Sequence, residues 1–207
     1  ITQTGQNCGV ISSQALVNTT NLPTFTSQPL ATQSVCLGGT PTDLTISYTN
    51  GSGSATYQWY SSSSNSYTNG VIINGATTAS FTPPTNQIGT NYYYCKLTLT
   101  GGGCPDTYTS IAEVIVLPDP IVSLQPLTTQ EICVGGTIAQ PLTVNYTNGF
   151  GSPTYQWQTS TNGNTWVNSG SVSTSPNFSP SVFTQVGTNY YQVVITLSGS
   201  GCNVMTS

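Results

Sequence analysis

Apolar residues in this chain recur every second position, never with a sustained helical period, which predicts short half-buried strands. Leu44, Ile46 and Tyr48 fall on one face of a first such segment, and Leu142, Val144 and Tyr146 repeat the pattern. Tyr57 and Trp59 share a face of the next, matched by Tyr155 and Trp157. Tyr93, Cys95, Leu97 and Leu99 line up further on, matched by Tyr191, Val193, Ile195 and Leu197. A last segment, "IAEVIVLP" (111–118), offers Ala112, Val114 and Val116 to one side and Glu113 to the other. Turn signals fall between them, including "NGSG" (50–53), "NG" (162–163) and "GGG" (101–103).

The pattern occurs twice because the sequence does. Cys36 and Cys133 are 97 positions apart (133 − 36), and Cys104 and Cys202 are 98 apart (202 − 104). "QPLATQSVCLGGT" (28–40) returns as "QPLTTQEICVGGT" (125–137), and "YTNGSGSATYQW" (48–59) as "YTNGFGSPTYQW" (146–157). A period near 97 is too long for a solenoid unit and suits a β-sandwich of about 100 residues. The expected organisation is all-β, with tandem immunoglobulin-like sandwiches. Residues 1–22 read as the final strands of a preceding repeat, 23–118 as a complete repeat, and 119–207 as a repeat lacking its final strand. The chain thus reads as a window onto a longer array. Trp59, Trp157, Tyr93 and Tyr191 are expected in the cores, Tyr93 standing two residues before Cys95 as in a tyrosine corner.

Composition narrows the function. Charged residues make up 3% of 207, with one cation (Lys96), no histidine and a net charge of −4. Nucleic-acid binding needs several Lys or Arg contacts, so it is excluded, as is attraction to an anionic membrane. No apolar run is long enough to insert in a bilayer. Twelve Tyr, five Phe and three Trp set the chain apart from disordered polar sequences. The five acids are scattered, which gives no carboxylate pair for acid–base chemistry, so no catalytic residue, cofactor or metal is expected. Trp166 and Tyr67, in equivalent hairpins, are candidate glycan contacts that also suit packing across a hairpin.

The motifs "SVCLGGT", "YQW", "GTNYYY" and "GGGC" resemble the tandem immunoglobulin-like repeats of giant surface adhesins in Bacteroidota, similar to those of flavobacterial gliding adhesins. The resemblance covers nearly the whole chain. It implies an extracellular, cell-surface location, export by type 9 secretion, and a stalk role in adhesion or gliding. Neighbouring repeats would be the partners, with surface glycans as candidate ligands.

Six cysteines in such a chain point to an oxidising compartment. Cys95, replaced by Val193 in the second repeat, reads as a free buried thiol. Cys36 and Cys133 precede a Gly-Gly turn, whereas Cys8, Cys104 and Cys202 lie between the last two strands. An immunoglobulin topology puts these places at opposite ends of the sandwich, farther apart than the roughly 7 Å that a disulfide spans. A Cys36–Cys202 bond across the repeat junction is therefore preferred, with the partners of Cys8, Cys104 and Cys133 outside the chain. The alternative is bonding within repeats, Cys36–Cys104 and Cys133–Cys202. Two other functions stay open: a pilus-like subunit donating a strand around Ile11–Val17 to a neighbour, and a carbohydrate-binding sandwich.

Overall fold

The computed structural model describes residues 13–199 and 201–207. The first repeat contains β1 (Thr24–Ser27), β2 (Thr32–Cys36), β3 (Leu44–Thr45), β4 (Ser47–Thr49), β5 (Gly53–Ser62), β6 (Val71–Ile72), β7 (Ser80–Phe81), β8 (Gly89–Gly101), β9 (Thr107–Tyr108) and β10 (Ala112–Leu117). The second contains β11 (Ile121–Leu124), β12 (Leu142–Thr143), β13 (Asn145–Thr147), β14 (Ser152–Ser160), β15 (Val167–Asn168), β16 (Asn177–Phe178), β17 (Tyr190–Ser198) and β18 (Met205–Thr206). The fold is a pair of immunoglobulin-like β-sandwiches in tandem.

In the first repeat one layer runs β2-β10-β8-β5-β6, with β9 beside the far half of β8. β10 lies antiparallel to β8 and parallel to β2. The other layer comprises the β1–β4 and β3–β7 pairs. The single strand expected over Leu44–Tyr48 is split in two. Its first half pairs with β7, and its second pairs with β1 across a register shift. The side chains still alternate, so Leu44 and Ile46 are buried.

Each core is built on one indole. Trp59 is fully buried, stacks on Phe81 with centroids 5.6 Å apart and donates its Nε1–H to the Thr78 carbonyl at 2.9 Å. Trp157 stacks on Phe178 at 5.4 Å, and its Nε1 has no hydrogen-bond partner among the described residues. Cys95 is buried directly across from Trp59 in the β5–β8 ladder. Burial pushes its thiol up to about 11. Tyr93 packs on Phe81 at 5.3 Å.

The second repeat copies this plan with one difference. β14 pairs with β17, and β18 sits beside β17 where β9 sits beside β8. Ser207 takes the place of Thr109: each accepts a backbone N–H on its hydroxyl and donates its own N–H to the facing carbonyl. Among the described residues no strand corresponds to β10. Without it, residues 129–133 form no ladder although they correspond to β2. Tyr191 is half-buried where Tyr93 is 3% exposed.

Candidate functional site: the junction between repeats

The site is the joint rather than a cleft. The chain crosses it in four residues, Leu117–Pro118–Asp119–Pro120. Prolines restrict this backbone, and the carbonyls on either side of Asp119's preceding proline, those of Leu117 and Pro118, are claimed by opposite repeats. Leu37 N–H of the first repeat bonds the Leu117 carbonyl at 2.9 Å. Gly149 N–H of the second bonds the Pro118 carbonyl at 3.1 Å. Asn203 Nδ2 donates to Asp119 Oδ2 at 2.8 Å. Pro120 is buried, and the other three are half-buried. Asp119 Oδ1 is buried without a partner among the described residues, but a linker bonded at these three points to both neighbours cannot swing without breaking those bonds.

Cys36 ends β2 and Cys202 lies in the loop before β18. Their sulfurs are bonded, with Cα atoms 4.8 Å apart and a sequence separation of 166. This is the inter-repeat pair, and it displaces the within-repeat alternatives for both Cys36 and Cys202. Beside the bond, Gly39 and Gly201 pack backbone to backbone. A Cβ on Gly39 would lie 2.9 Å from the Gly201 carbonyl oxygen, and one on Gly201 would lie 3.1 Å from Gly39 Cα. Only glycine allows that approach at both positions, and Gly201 also has φ +62°.

Both outer ends of the pair carry half of the same joint. At the start of the first repeat, Gly51 N–H bonds the Asn21 carbonyl at 2.9 Å, as Gly149 bonds Pro118. There Cys104 Sγ lies 3.9 Å from the Ser52 carbonyl, as Cys202 Sγ lies 3.5 Å from that of Phe150. At the far end of the second repeat, Gly136 N–H bonds the Cys133 carbonyl at 2.9 Å, as Gly39 bonds Cys36. Cys104 is a half-buried thiol and Cys133 an exposed one. Cys8 lies outside the described residues.

The other singled-out residues do not converge. Tyr67 donates its Oη–H to the Thr109 carbonyl at 2.8 Å and packs edge-on against Tyr94 at 4.9 Å. Trp166 is half-buried in the other repeat, at the rim of a groove. Of the scattered acids, Asp119 is engaged at the joint, and Glu131 is exposed at the opposite end of its repeat. Lys96 pairs with Asp106 at 2.6 Å, which raises the lysine pKa and lowers that of the carboxyl. The linker carbonyls, Asn203 and the two glycines were not singled out from sequence. The Gly-Gly after each of Cys36 and Cys133 and the prolines of "LPDP" (117–120) are their visible traces in sequence.

The profile of a family described as "Domain of unknown function (DUF8696)" matches residues 26–118 and again 125–207. The chain belongs to this family, as two successive copies of its domain. No match is found among curated protein sequences. Among solved structures, the chain is similar to Sidekick-1 immunoglobulin domains 1–4, at 14% identity and TM-score 0.44, covering 92% of this chain and 48% of that one. It is also similar to the titin I-band fragment I67–I69, at 11% identity and TM-score 0.37, covering 89% and 63%. A third is the fibronectin(III)-like modules of Clostridium thermocellum CbhA, at 13% and 0.36, covering 89% and 91%. The chain spans less than half the length of the Sidekick-1 structure.

Proposed function

We propose that this protein is a stiff, tension-carrying spacer of a secreted cell-surface filament or adhesin, without catalytic activity. The observation that carries the reading is the Cys36–Cys202 bond, which crosses a joint already closed by hydrogen bonds on both sides. Linked domains ordinarily meet through small, mobile interfaces. A covalent tie and a sequestered Pro-Asp-Pro linker remove that freedom. The disulfide and the near absence of charge favour an extracellular setting. The resemblance of the repeat motifs to those of Bacteroidota gliding adhesins supports display on a cell surface after type 9 secretion. In this reading Cys104 and Cys133 bond to flanking repeats as Cys36 and Cys202 bond to each other.

The test is the spread of inter-repeat distances, measured by pulsed electron paramagnetic resonance between paired spin labels on the two repeats. The oxidised protein should give one narrow distance distribution. The Cys36→Ser/Cys202→Ser protein should give a broader one. Equal breadth in both would overturn the spacer reading.

A further inference from the structure

The outer face of the first repeat carries an aromatic cluster that the second repeat lacks. Side chains alternate along β5, β8 and β9, so Tyr60, Tyr94, Lys96 and Tyr108 point away from the core that holds Trp59, Cys95 and Leu97. Tyr60 stands directly across from Tyr94, and Gln58 and Tyr108 flank Lys96 on its two sides. The Tyr60 and Tyr94 rings lie parallel with centroids 5.1 Å apart. Tyr67, from the loop after β5, meets Tyr94 edge-on at 4.9 Å, and Tyr108 lies 6.0 Å from both. Beside the rings Lys96 pairs with Asp106 at 2.6 Å, and Asp106 also accepts the Thr98 hydroxyl at 2.6 Å.

Folding accounts for only part of this cluster. Tyr94 is buried and donates its Oη–H to the Tyr67 carbonyl at 3.1 Å, while Tyr67 donates to the Thr109 carbonyl at 2.8 Å. Those two rings fasten the loop after β5 onto the sheet. Tyr60 and Tyr108 are not spent in this way. Their hydroxyls bond nothing among the described residues, and Tyr108 is 47% exposed. The second repeat is an internal comparison. By ladder position, Gln158 stands for Tyr60, Gln192 for Tyr94, Val194 for Lys96 and Thr206 for Tyr108. There Gln192 donates to Gln158 at 2.8 Å, and Ser160 and Asn162 hold the equivalent loop by its own turn bonds. The same sandwich thus closes without the tyrosines or the lysine.

We propose that this face of the first repeat binds a neutral, extended, equatorially linked glycan chain of the cellulose type. Such a chain presents flat C–H faces and a rim of hydroxyls. The C–H faces lie on Tyr60 and Tyr108, whose ring faces carry negative charge density and whose apolar surface is removed from water by the contact. The hydroxyls meet the polar groups set between the rings. Lys96 spends one N–H on Asp106, which leaves two to donate. The Asp106 carboxylate and the Gln58 side-chain oxygen accept, since Gln58 Nε2 is already committed to the Trp59 and Ile73 carbonyls. Charge complementarity selects a neutral ligand. Lys96 and Asp106 cancel each other, so an anionic chain meets Asp106 and a cationic one meets Lys96. The platform is an open sheet face with no end wall, which suits the interior of a chain rather than a terminal sugar.

None of these residues takes part in the joint, so the site stands or falls apart from the spacer reading. Isothermal titration of the whole chain with cellohexaose, mannohexaose and xylohexaose tests it. At least one of the three should bind, and Tyr60→Gln, Lys96→Val and Tyr108→Thr should each weaken that binding about tenfold or more. Each variant installs the residue that the second repeat carries at the same ladder position, and circular dichroism should show the fold unchanged. Tyr108→Thr alters an exposed side chain, so it remains decisive where Tyr60→Gln disturbs the loop. Trp166→Ala, in the other repeat, should leave binding unchanged. The proposal is overturned if no hexaose binds, if binding survives Tyr108→Thr, or if Trp166→Ala removes it. Sedimentation covers the other occupant: self-association that Tyr60→Gln and Tyr108→Thr abolish would assign the face to a second copy of the chain and overturn the glycan reading.

Discussion

The internal disulfide redirects force. Suppose the chain is pulled from its ends, Ile1 and Ser207. Tension enters at residue 1, reaches Cys36, crosses the sulfur bridge to Cys202 and leaves at 207. The chain between the two cysteines, a separation of 166, carries none of it. At about 3.3–3.6 Å per extended residue, that segment withholds roughly 550–600 Å of chain. Only residues 1–36 and 202–207 can lengthen, so β1, β2 and β18 can peel while both cores stay shielded. The bridge also stabilises each repeat. If one repeat unfolds while the other holds, the bond closes a loop of about 83 residues. Chain entropy gives about 4.5 kcal/mol for such a loop, against about 2–4 kcal/mol typical of native disulfides. Single-molecule extension is the assay, in oxidising buffer and then with reductant. The oxidised chain should show short peeling events and no domain-sized steps. Reduction should add two domain-sized steps that together release the withheld length. Domain-sized steps of equal length in both buffers would refute the shielding argument.

Other consequences are cheaper to test. Trp59→Phe should cost the first repeat about 1–3 kcal/mol more than Trp157→Phe costs the second, because the first change loses a hydrogen bond whereas the second removes a buried N–H that has no partner; calorimetry with two resolved transitions measures it. Gly201→Val should lower the yield of the Cys36–Cys202 bond on oxidative refolding several-fold, read by non-reducing peptide mapping, since the side chain would strike the backbone at Gly39 and Thr40. The raised Cys95 pKa favours the neutral thiol in the folded state. Its stabilising share is complete below the unfolded thiol's ordinary value of 9.0 and is lost as pH climbs through about 11. Chemical denaturation at pH 8 and pH 10.5 should show a loss of stability that Cys95→Val reduces.

The fold was legible because alternation and repetition reinforce each other. Either copy alone would leave Leu44–Tyr48 or Tyr93–Leu99 ambiguous, but two copies in phase fix which face is inward. The Cys36–Cys202 bond was legible for a geometric reason: strand length separates the two cysteine classes within a repeat and brings them together across a junction. The close packing at the joint was not legible. It depends on backbone groups of Leu117, Pro118 and Gly149, which every residue type possesses, and on Gly39 and Gly201, which resemble turn glycines anywhere. Nor could sequence show that a strand such as Leu44–Tyr48 breaks its pairing midway, because both halves keep the same alternation.

The separation of 166 matters because it exceeds the period of 97. If every junction is bridged as the central one is, each bond opens before the previous one has closed. Cys133 lies inside the loop held by Cys36–Cys202, so the loops overlap like roof tiles. Tension then runs from bridge to bridge through about 28 residues for every two repeats: Cys202 to the next Gly-Gly cysteine, one period beyond Cys133. At about 3.3–3.6 Å per residue that path stretches to roughly 100 Å. Each folded sandwich already spans tens of ångströms, so little slack remains. Such a rod is nearly inextensible while its bonds are intact, whatever the stability of a single repeat. Bonds within each repeat would protect each core but leave every linker held by hydrogen bonds alone. For the spacer proposed above, the connectivity matters more than the sandwich itself.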